Sequence, residues 1–288
     1  MSSNLNPQNS VQPLSLGNVI SAGLRLYSSH WKSYLGLAFN AYLWVIVPVY
    51  GWAKCAAILA LISRLSFGEL VNQPESVNSG RKVVNSRLWQ FLLMNLLMLV
   101  IYFVFFIALI VVYLIAAVAV AGLITATTSG GNAPNPGIII LLVLLGIIFL
   151  GAILTAIFWI TARLFVVELP LAIENNVDAT STISRSWELT KGQVWRIVGI
   201  LLVSYLLTIP IQVPFSVVSF LIQILLMRLA QTQDNPSLIF LSSLINILVS
   251  LISGAIVLPF WQTIKATVYY DLRSRREGLG LQLRDHDI

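Results

Sequence analysis

Apolar residues fill most of this chain in long blocks, and short polar stretches separate the blocks. The apolar blocks cover residues 33–63, 89–126 and 138–162 and two further stretches after Trp195. One crossing of a bilayer needs about 20 apolar residues in an α-helix that rises about 1.5 Å per residue. The blocks are therefore long enough to form membrane helices, and the helix breakers at 129–137 predict a turn between two of them.

We interpret the blocks as six transmembrane helices in three helical hairpins, which predicts an all-α integral membrane protein. The hairpins cover about residues 33–70, 88–172 and 194–272, within a membrane domain of residues 15–272. The first block is too long for one crossing and short for two. Its hairpin, which turns near Pro48 to Lys54, is therefore either complete or shallow and re-entrant.

The stretches outside these hairpins are polar. Residues 1–14 are predicted to form a disordered tail, and residues 273–288 a charged cytoplasmic tail. The polar stretch 65–88 is interpreted as a connection.

Two other polar stretches have the periodicity of amphipathic helices. Ser15 is placed to cap a helix over residues 16–31, and Asp178 can cap a helix within residues 178–190. Ile183 and Trp187 would share the apolar face of the second helix. Both helices are predicted to lie along the cytoplasmic headgroups.

A basic residue followed by two acids recurs where apolar blocks end. The three copies are Arg64, Glu69 and Glu75; Arg163, Glu168 and Glu174; and Lys265, Asp271 and Glu277. The first two copies have identical spacing at an offset of 99 positions, and the third has one extra residue in its first gap. Such self-similarity indicates an internal repeat. The alternative is that charge simply flanks membrane helices, as it routinely does.

Two arrangements of these nine charged residues stay open. They could form one ion-pair network at the cytoplasmic face, or a ring that contacts phospholipid headgroups. In the simpler alternative, each cation reaches lipid phosphate while each acid faces water. Four prolines are predicted to kink helices: Pro48, Pro210, Pro214 and Pro259.

Composition supports the membrane class. The chain has 288 residues, of which 58% are hydrophobic and only 10% charged, whereas a soluble domain has about 25% charged residues. The net charge of +6 comes from cations that flank apolar blocks and form no continuous basic patch, which argues against nucleic acid as a partner. The single cysteine, Cys55, excludes an intrachain disulfide.

The distribution of Lys and Arg predicts the orientation. Of the 17 Lys and Arg residues, all but Lys54 and Arg228 fall on one side of the predicted helices. The positive-inside rule then places both termini in the cytoplasm of a multi-pass protein. The start of the chain lacks the basic region and adjacent apolar core of a cleavable signal.

The sequence shows no catalytic apparatus. The two histidines, His30 and His286, lie outside the apolar blocks, and neither a metal-ligand cluster nor a nucleotide or hydrolase motif is present. We therefore predict a protein that is not an enzyme and has no cofactor or metal. Polarity within the blocks is limited to neutral side chains such as Asn40, Asn95, Ser204, Thr208, Gln212 and Asn246.

Three motifs resemble one known family. RLFVVELPLAIENN, SRSWELTKG and YYDLRSRREG, which begin at Arg163, Ser184 and Tyr269, are similar to the bacterial membrane-domain family named after glycerophosphoryl diester phosphodiesterase and to the YciC-like proteins. The resemblance covers nearly the whole chain from about residue 14. It implies a six-helix bacterial membrane module, which would lie in a bacterial inner membrane or another internal membrane. In the phosphodiesterase members a separate soluble barrel performs catalysis, and no such barrel fits here.

Two function classes remain after this reasoning. The first is a non-catalytic membrane module that acts as a scaffold, organises lipid, or assists a larger membrane complex. The second is a transporter or channel for a small or lipid-like substrate. A water-filled cavity lined by Asn95, Gln212 and Asn246 would favour the second, and a dry or lipid-filled interior the first. Membrane lipids, further copies of the chain and a larger membrane complex are the partners to expect.

Overall fold

The structure is a computed structural model that describes residues 14–128, 136–233 and 237–278. Every regular element among the described residues is a helix. The helices are α1 (Leu16–Ser29), α2 (Trp31–Val45), α3 (Tyr50–Leu70), α4 (Val77–Ser86), α5 (Leu88–Thr128), α6 (Pro136–Arg163), α7 (Glu168–Ile173), α8 (Ser181–Thr190), α9 (Val194–Gln233) and α10 (Ser237–Glu277).

Four stretches are long and apolar enough to cross a membrane. They are Leu88–Ala126, Pro136–Ile173, Val194–Thr232 and Ser237–Glu277. The most apolar windows of the first two have no buried residue, whereas those of the last two are partly buried. The all-α membrane class is thus confirmed, with four helices of this kind. At about 1.5 Å per residue, the 41 residues of α5 extend about 60 Å, roughly twice the hydrocarbon thickness.

The core lies at one end of the long helices, and we call this end the basal end. It is formed by the start of α5, the end of α6, the start of α9 and the last part of α10. One apolar cluster joins α1, α7, α9 and α10, and a second joins α2, α3, α4 and the start of α5. Because the short helices all pack here, the basal end is where polar residues from distant parts of the sequence meet.

The first hairpin consists of α2 and α3, and α2 is shorter than one bilayer crossing. α2 has 15 residues and extends about 22 Å, against a hydrocarbon thickness of about 30 Å. Its turn is a γ-turn in which the Tyr50 amide donates to the Pro48 carbonyl at 2.8 Å and Val49 has a φ of +62°. Only glycine fits at position 51, because a Cβ there would lie 1.9 Å from the Trp44 carbonyl oxygen.

Two details of this hairpin differ from the sequence interpretation. Pro48 lies in the turn between α2 and α3, so the prediction that it kinks a helix is wrong. The charge pattern assigns Lys54 to the far side of the membrane, but its Nζ donates to Asn85 Oδ1 at 3.1 Å, just before α5 begins. The other three prolines lie inside helices, Pro210 and Pro214 in α9 and Pro259 in α10.

The polar connection also contains a helix that the sequence interpretation missed. α4 begins after Ser76, whose hydroxyl accepts from the Ser79 amide at 3.2 Å, and its Gly80 packs against Leu61 of α3. The predicted cap at Ser15 is confirmed, since its hydroxyl accepts from the Asn18 amide. The predicted helix over 16–31 ends earlier, at Ser29, and α2 follows directly.

At the other end of the chain, α10 continues to Glu277, past the predicted boundary at residue 272. Two pairs at i,i+4 spacing, Asp271 with Arg275 and Arg273 with Glu277, support its last turns. Residues 1–13, 129–135, 234–236 and 279–288 lie outside the described residues, and these ranges contain most of the two predicted tails.

Candidate functional site: charged residues at the basal end

Charged side chains from five helices and the segments between helices meet at the basal end. Eight ion pairs are present among the described residues: His30 with Glu69, Arg64 with Glu75, Arg185 with Glu174, Arg185 with Glu277, Arg196 with Asp271, Lys265 with Glu168, Arg273 with Glu277 and Arg275 with Asp271. We call these residues the basal network. Four of the eight pairs join residues that are at least 39 positions apart in sequence, so the network helps to fix how the helices meet.

Asp271 is the most buried member of the network, with a side chain only 2% exposed. Its carboxylate pairs with Arg196 of α9 and with Arg275, and it also accepts from the Leu14 amide at 2.9 Å. Both arginines donate in turn to the Leu14 carbonyl. The segment before α1 is therefore attached to α9 and α10 through its backbone.

Glu174 and Glu277 share Arg185, and this trio joins the end of α7 to α8 and α10. The guanidinium donates to Glu174 Oε1 at 3.2 Å, and the Tyr269 hydroxyl donates to the same oxygen at 2.6 Å. Arg273 adds a second donor for Glu277 at 2.8 Å. Such charge-assisted bonds are among the stronger ones in proteins.

The C-terminal end of α7 is capped by two arginines from distant helices. Arg64 donates to the Ala172 carbonyl at 2.6 Å, and Arg87 donates to the carbonyls of Leu171 and Glu174. These carbonyls have no partner within their own helix, so the cations satisfy them and complement the helix dipole. Lys265 holds the other end of α7 through Glu168 at 3.0 Å.

Arg64 also holds Glu75 in the segment before α4. Its Nε lies 2.7 Å from Glu75 Oε2, and the Ser79 hydroxyl donates to the other oxygen at 2.8 Å. Burial raises the pKa of Glu75, whereas the hydrogen bonds from Arg64 and Ser79 and the charge of Arg64 lower it. The lowering effects together are larger than the effect of burial, so the net pKa is below its usual value.

Arg163 is the member of the predicted set that has no acidic partner among the described residues. Its guanidinium lies 5.3 Å from the ring centroid of Trp159 and 4.8 Å from that of Trp187, within the range of cation–π contact. It donates to the Trp187 carbonyl at 3.0 Å, while its Nε is buried without a hydrogen-bond partner. Arg163 is thus held by aromatic rings at the end of α8.

The buried face of α8 carries the hydroxyls of Thr182, Ser186 and Thr190 together with Leu189. Thr182 donates to the Val167 carbonyl, and Ser186 donates to the Arg163 carbonyl, which is at the C-terminal end of α6 and has no donor within that helix. The apolar pair Ile183 and Trp187 points the other way and lines a groove of about 520 Å³ against α5. Ile183 and Trp187 lie on one face as predicted, and on this face Ile183 also packs against the apolar cluster that includes the start of α5, while Trp187 is more exposed.

The spacing of charges in the sequence identifies the place but not the partners. Eight of the nine predicted residues lie in the basal network. This number includes Glu69, whose contact with His30 is an ion pair when the imidazole is protonated. Only two pairs, Arg64 with Glu75 and Lys265 with Glu168, join members of that set. The missed cations are Arg185, Arg196, Arg273 and Arg275. Three of these cations, Arg185, Arg273 and Arg275, lie in the motifs SRSWELTKG and YYDLRSRREG. These two motifs were therefore the part of the sequence that could have indicated the missed cations.

Asp178 provides a prediction about pH. Its carboxylate accepts from the Ser181 amide at 2.7 Å and from both donors of Thr180, which caps the turn into α8 and lowers the pKa to about 2 from an ordinary 3.8. Since the folded-state pKa is the lower one, this contribution to stability is present above about pH 4 and is lost as the pH falls towards 2. Asp178→Asn should therefore lower the melting temperature in detergent at pH 7 and have little effect near pH 2.

A difference in melting temperature between wild type and Asp178→Asn that is the same at pH 7 and pH 2 would contradict this assignment. Ser184→Ala is a suitable control, because Ser184 is exposed and its hydroxyl bonds only within α8. Its effect should be small and independent of pH.

No group of three or more His, Cys, Asp or Glu side chains within the described ranges is placed to hold a metal ion. The prediction that the protein has no metal, cofactor or catalytic activity remains a prediction. What the basal geometry can do chemically is to hold helices together and present cations beside tryptophan rings.

Comparison with known proteins gives one match. A family model described as "Domain of unknown function (DUF7847)" matches residues 35–272, most of the chain. No curated protein and no solved structure matches. The resemblance to the phosphodiesterase-named membrane domain therefore also stays a prediction.

Proposed function

We propose that this chain, which belongs to the family described as Domain of unknown function (DUF7847), is a non-catalytic membrane scaffold that binds and organises anionic phospholipid. The observation that carries the proposal is a cationic site next to an apolar groove, with Trp187 belonging to both. An anionic lipid needs these two features side by side, one for its phosphate and one for an acyl chain.

The cationic half of the site lies at the C-terminal end of α8. Arg163 donates to the carbonyl of Trp187, and Arg276 donates to that of Lys191, one helical turn further on. The two guanidinium groups and the Lys191 ammonium therefore lie around one helix end, and none of them has an acidic partner in the described part of the chain. Cations beside tryptophans are typical of the headgroup level of a membrane.

The apolar half is the groove of about 520 Å³ between α8 and α5. Leu97, Val100 and Ile101 form its α5 wall, and Ile183 and Trp187 form the α8 wall; Glu188 lies at its edge. Above this groove α5 is apolar and exposed for most of its length. A chain in the groove would continue along α5 into the bilayer, which suits a lipid better than a soluble ligand.

The topology that accompanies this proposal has six membrane helices in three repeats and both termini in the cytoplasm. Its support is the order of elements: a short helix precedes two longer ones in α1–α3, in α4–α6 and in α8–α10. The first hairpin would enter the membrane from the basal side without crossing it completely. Transport stays as the alternative, supported by Gln212 at a cleft between α9 and α10, although Asn95 lies exposed on α5 away from it.

Lipid binding is tested by native mass spectrometry of the full chain in nanodiscs that contain dioleoyl phosphatidylglycerol and dioleoyl phosphatidylcholine. A cation near a membrane surface contributes about 1 kcal/mol to anionic lipid binding, so Arg163→Gln with Arg276→Gln should weaken retention of phosphatidylglycerol by about 30-fold. Val100→Trp with Ile183→Trp should reduce retention of both lipids by filling the groove.

Arg228→Gln is the matched control, since Arg228 is a cation far along α9 from the basal end and has no ion pair among the described residues. Its lipid retention should equal that of wild type. Equal retention in the Arg163/Arg276 variant would contradict the proposed site.

The proposed orientation is tested by labelling single cysteines in a Cys55→Ser background with a maleimide that does not cross membranes. Asn78→Cys on α4 should be protected in intact cells and react after permeabilisation, whereas Gln231→Cys near the end of α9 should react in intact cells. Reaction of both residues from outside would reject the orientation, and the reverse pattern would invert it.

A further inference from the structure

A second cavity lies between α2, α9 and α10 and has a volume of about 460 Å³. Its size is within the usual range for small-molecule sites, which is about 300–1,000 Å³. Its polar lining consists of six uncharged side chains: Tyr42, Gln212, Ser216, Ser219, Ser250 and Ser253. The remainder of the wall is almost entirely apolar. We call this cavity the neutral cleft.

The neutral cleft lies within the membrane-spanning part of α9 and α10. Its α10 wall runs from Val249 to Trp261, so its two ends lie 16 and four residues before Lys265, the member of the basal network that comes first in α10. At about 1.5 Å per residue this is about 6–24 Å along α10 from Lys265. A ligand would therefore reach the cleft from the hydrocarbon region.

Several polar groups in the cleft have no hydrogen-bond partner within the described residues. They are the hydroxyls of Tyr42, Ser250 and Ser253 and the side-chain carbonyl of Gln212, whose amide donates to Thr208 at 2.9 Å. A helical serine can ordinarily bond a carbonyl one turn earlier, and an unpaired polar group in hydrocarbon is costly. These groups thus remain available for a ligand, three as donors and one as an acceptor.

The contact between Tyr42 and Gly254 keeps the cleft in this form. A Cβ on residue 254 would lie 2.1 Å from the Tyr42 hydroxyl oxygen, so any larger residue would displace the ring. The phenol therefore reaches across α10 only because residue 254 is glycine.

Charge determines the class of ligand. No lining residue of the neutral cleft is charged, so a phosphate bound there would be desolvated without a counter-ion, which is strongly unfavourable. An uncharged lipid avoids this cost, and its ester carbonyls accept from the three hydroxyls while its own hydroxyl donates to Gln212.

We propose that the neutral cleft binds an uncharged glycerolipid of the diacylglycerol class, with its glycerol and ester groups between α2, α9 and α10 and its chains in the bilayer. This site does not depend on the proposed function, because it shares no residue with the cationic site at Arg163.

The test uses full-length protein in nanodiscs with two probes, a dioleoylglycerol and a dioleoyl phosphatidylglycerol that carry the same diazirine in one chain near the ester. After photolysis, peptide mapping should place the dioleoylglycerol adducts on the cleft-lining segments of α2, α9 and α10. Excess unlabelled dioleoylglycerol should remove these adducts, and phosphatidylglycerol should not.

Ser253→Ala deletes one donor with little change in volume, and it should weaken competition by unlabelled dioleoylglycerol about fivefold, as expected for one neutral hydrogen bond. Ser250→Leu with Ser253→Leu should abolish specific labelling by filling the cleft, whereas Ser243→Leu, on an exposed position of the same helix, should not change it. The melting temperature of each variant establishes that it is folded.

Two results would overturn the proposal. One is equal labelling of the cleft by both probes, which would show general contact with lipid chains. The other is labelling that survives in the folded Ser250/Ser253 double variant. Loss of phosphatidylglycerol retention on mutation of Arg163 and Arg276, with cleft labelling intact, would show that the two sites are separate.

Discussion

Replacing Asp271 by asparagine is expected to lower the free energy of unfolding by about 3–5 kcal/mol, the usual cost of removing one partner from a buried ion pair. The side chain is almost fully buried and holds two arginines and the Leu14 amide at once. Asparagine has nearly the same shape, so the loss would come from the charge. Reversible unfolding in mixed micelles of dodecyl maltoside and sodium dodecyl sulfate measures this change.

Further variants test whether the loss of stability comes from the ion pair between Asp271 and Arg196. Arg196→Gln alone should also destabilise the protein, but the double variant with Asp271→Asn should cost less than the sum, because neither charge is then left without its partner. Glu188→Gln removes an exposed acid that has no ion pair among the described residues, and its effect should stay within about 0.5 kcal/mol. Additive single effects would show that Asp271 and Arg196 act independently.

The membrane class and the place of the charged residues could be predicted from sequence because both depend on local signals. Apolar blocks of bilayer length define α5, α6, α9 and α10, and charges that cannot lie in hydrocarbon mark where each block ends. The exit residues of the three copies then meet at one level because the helices that carry them end there.

The pairing within the network could not be predicted, because ion pairs depend on how helices pack. Arg163 precedes two acids at the same spacing as Arg64, yet it binds two tryptophans and a carbonyl instead of an acid. The difference comes from α8, which places Trp187 beside Arg163, whereas α4 offers no aromatic residue beside Arg64. Spacing along one segment contains no information about such a neighbour.

The faces of the short helices were also difficult to predict. In a soluble protein the apolar pair Ile183 and Trp187 would point into the core. Here α8 directs Thr182 and Ser186 inward, where Ser186 donates to the Arg163 carbonyl that the end of α6 leaves without a helical donor. The apolar pair then faces the groove beside α5. In a membrane an apolar face can point to lipid, so periodicity identifies the helix but not its orientation.

Replacing Arg64 by methionine is expected to lower the free energy of unfolding by about 2–4 kcal/mol, since it removes a partly buried ion pair and one bond to a helix carbonyl together. Methionine keeps much of the apolar length of the side chain. What is lost is the link from α3 to Glu75 at 2.7 Å and to the Ala172 carbonyl at 2.6 Å. Glu75 would then be a partly buried carboxylate without its cation, and its pKa would rise.

The rise in the pKa of Glu75 distinguishes this explanation from a simple loss of packing. Because burial then acts without the opposing arginine, the penalty in Arg64→Met should shrink as the pH falls and Glu75 becomes protonated, and it should be largest above about pH 5. Arg81→Met is the control, since Arg81 is exposed on α4 and has no ion pair within the described residues, and it should change stability little at any pH. A penalty for Arg64→Met that is constant between pH 4 and pH 8 would mean that Glu75 does not depend on Arg64, and the α3–α4 contact would then be held by the packing of Gly80 on Leu61 and by the bond from Lys54 to Asn85.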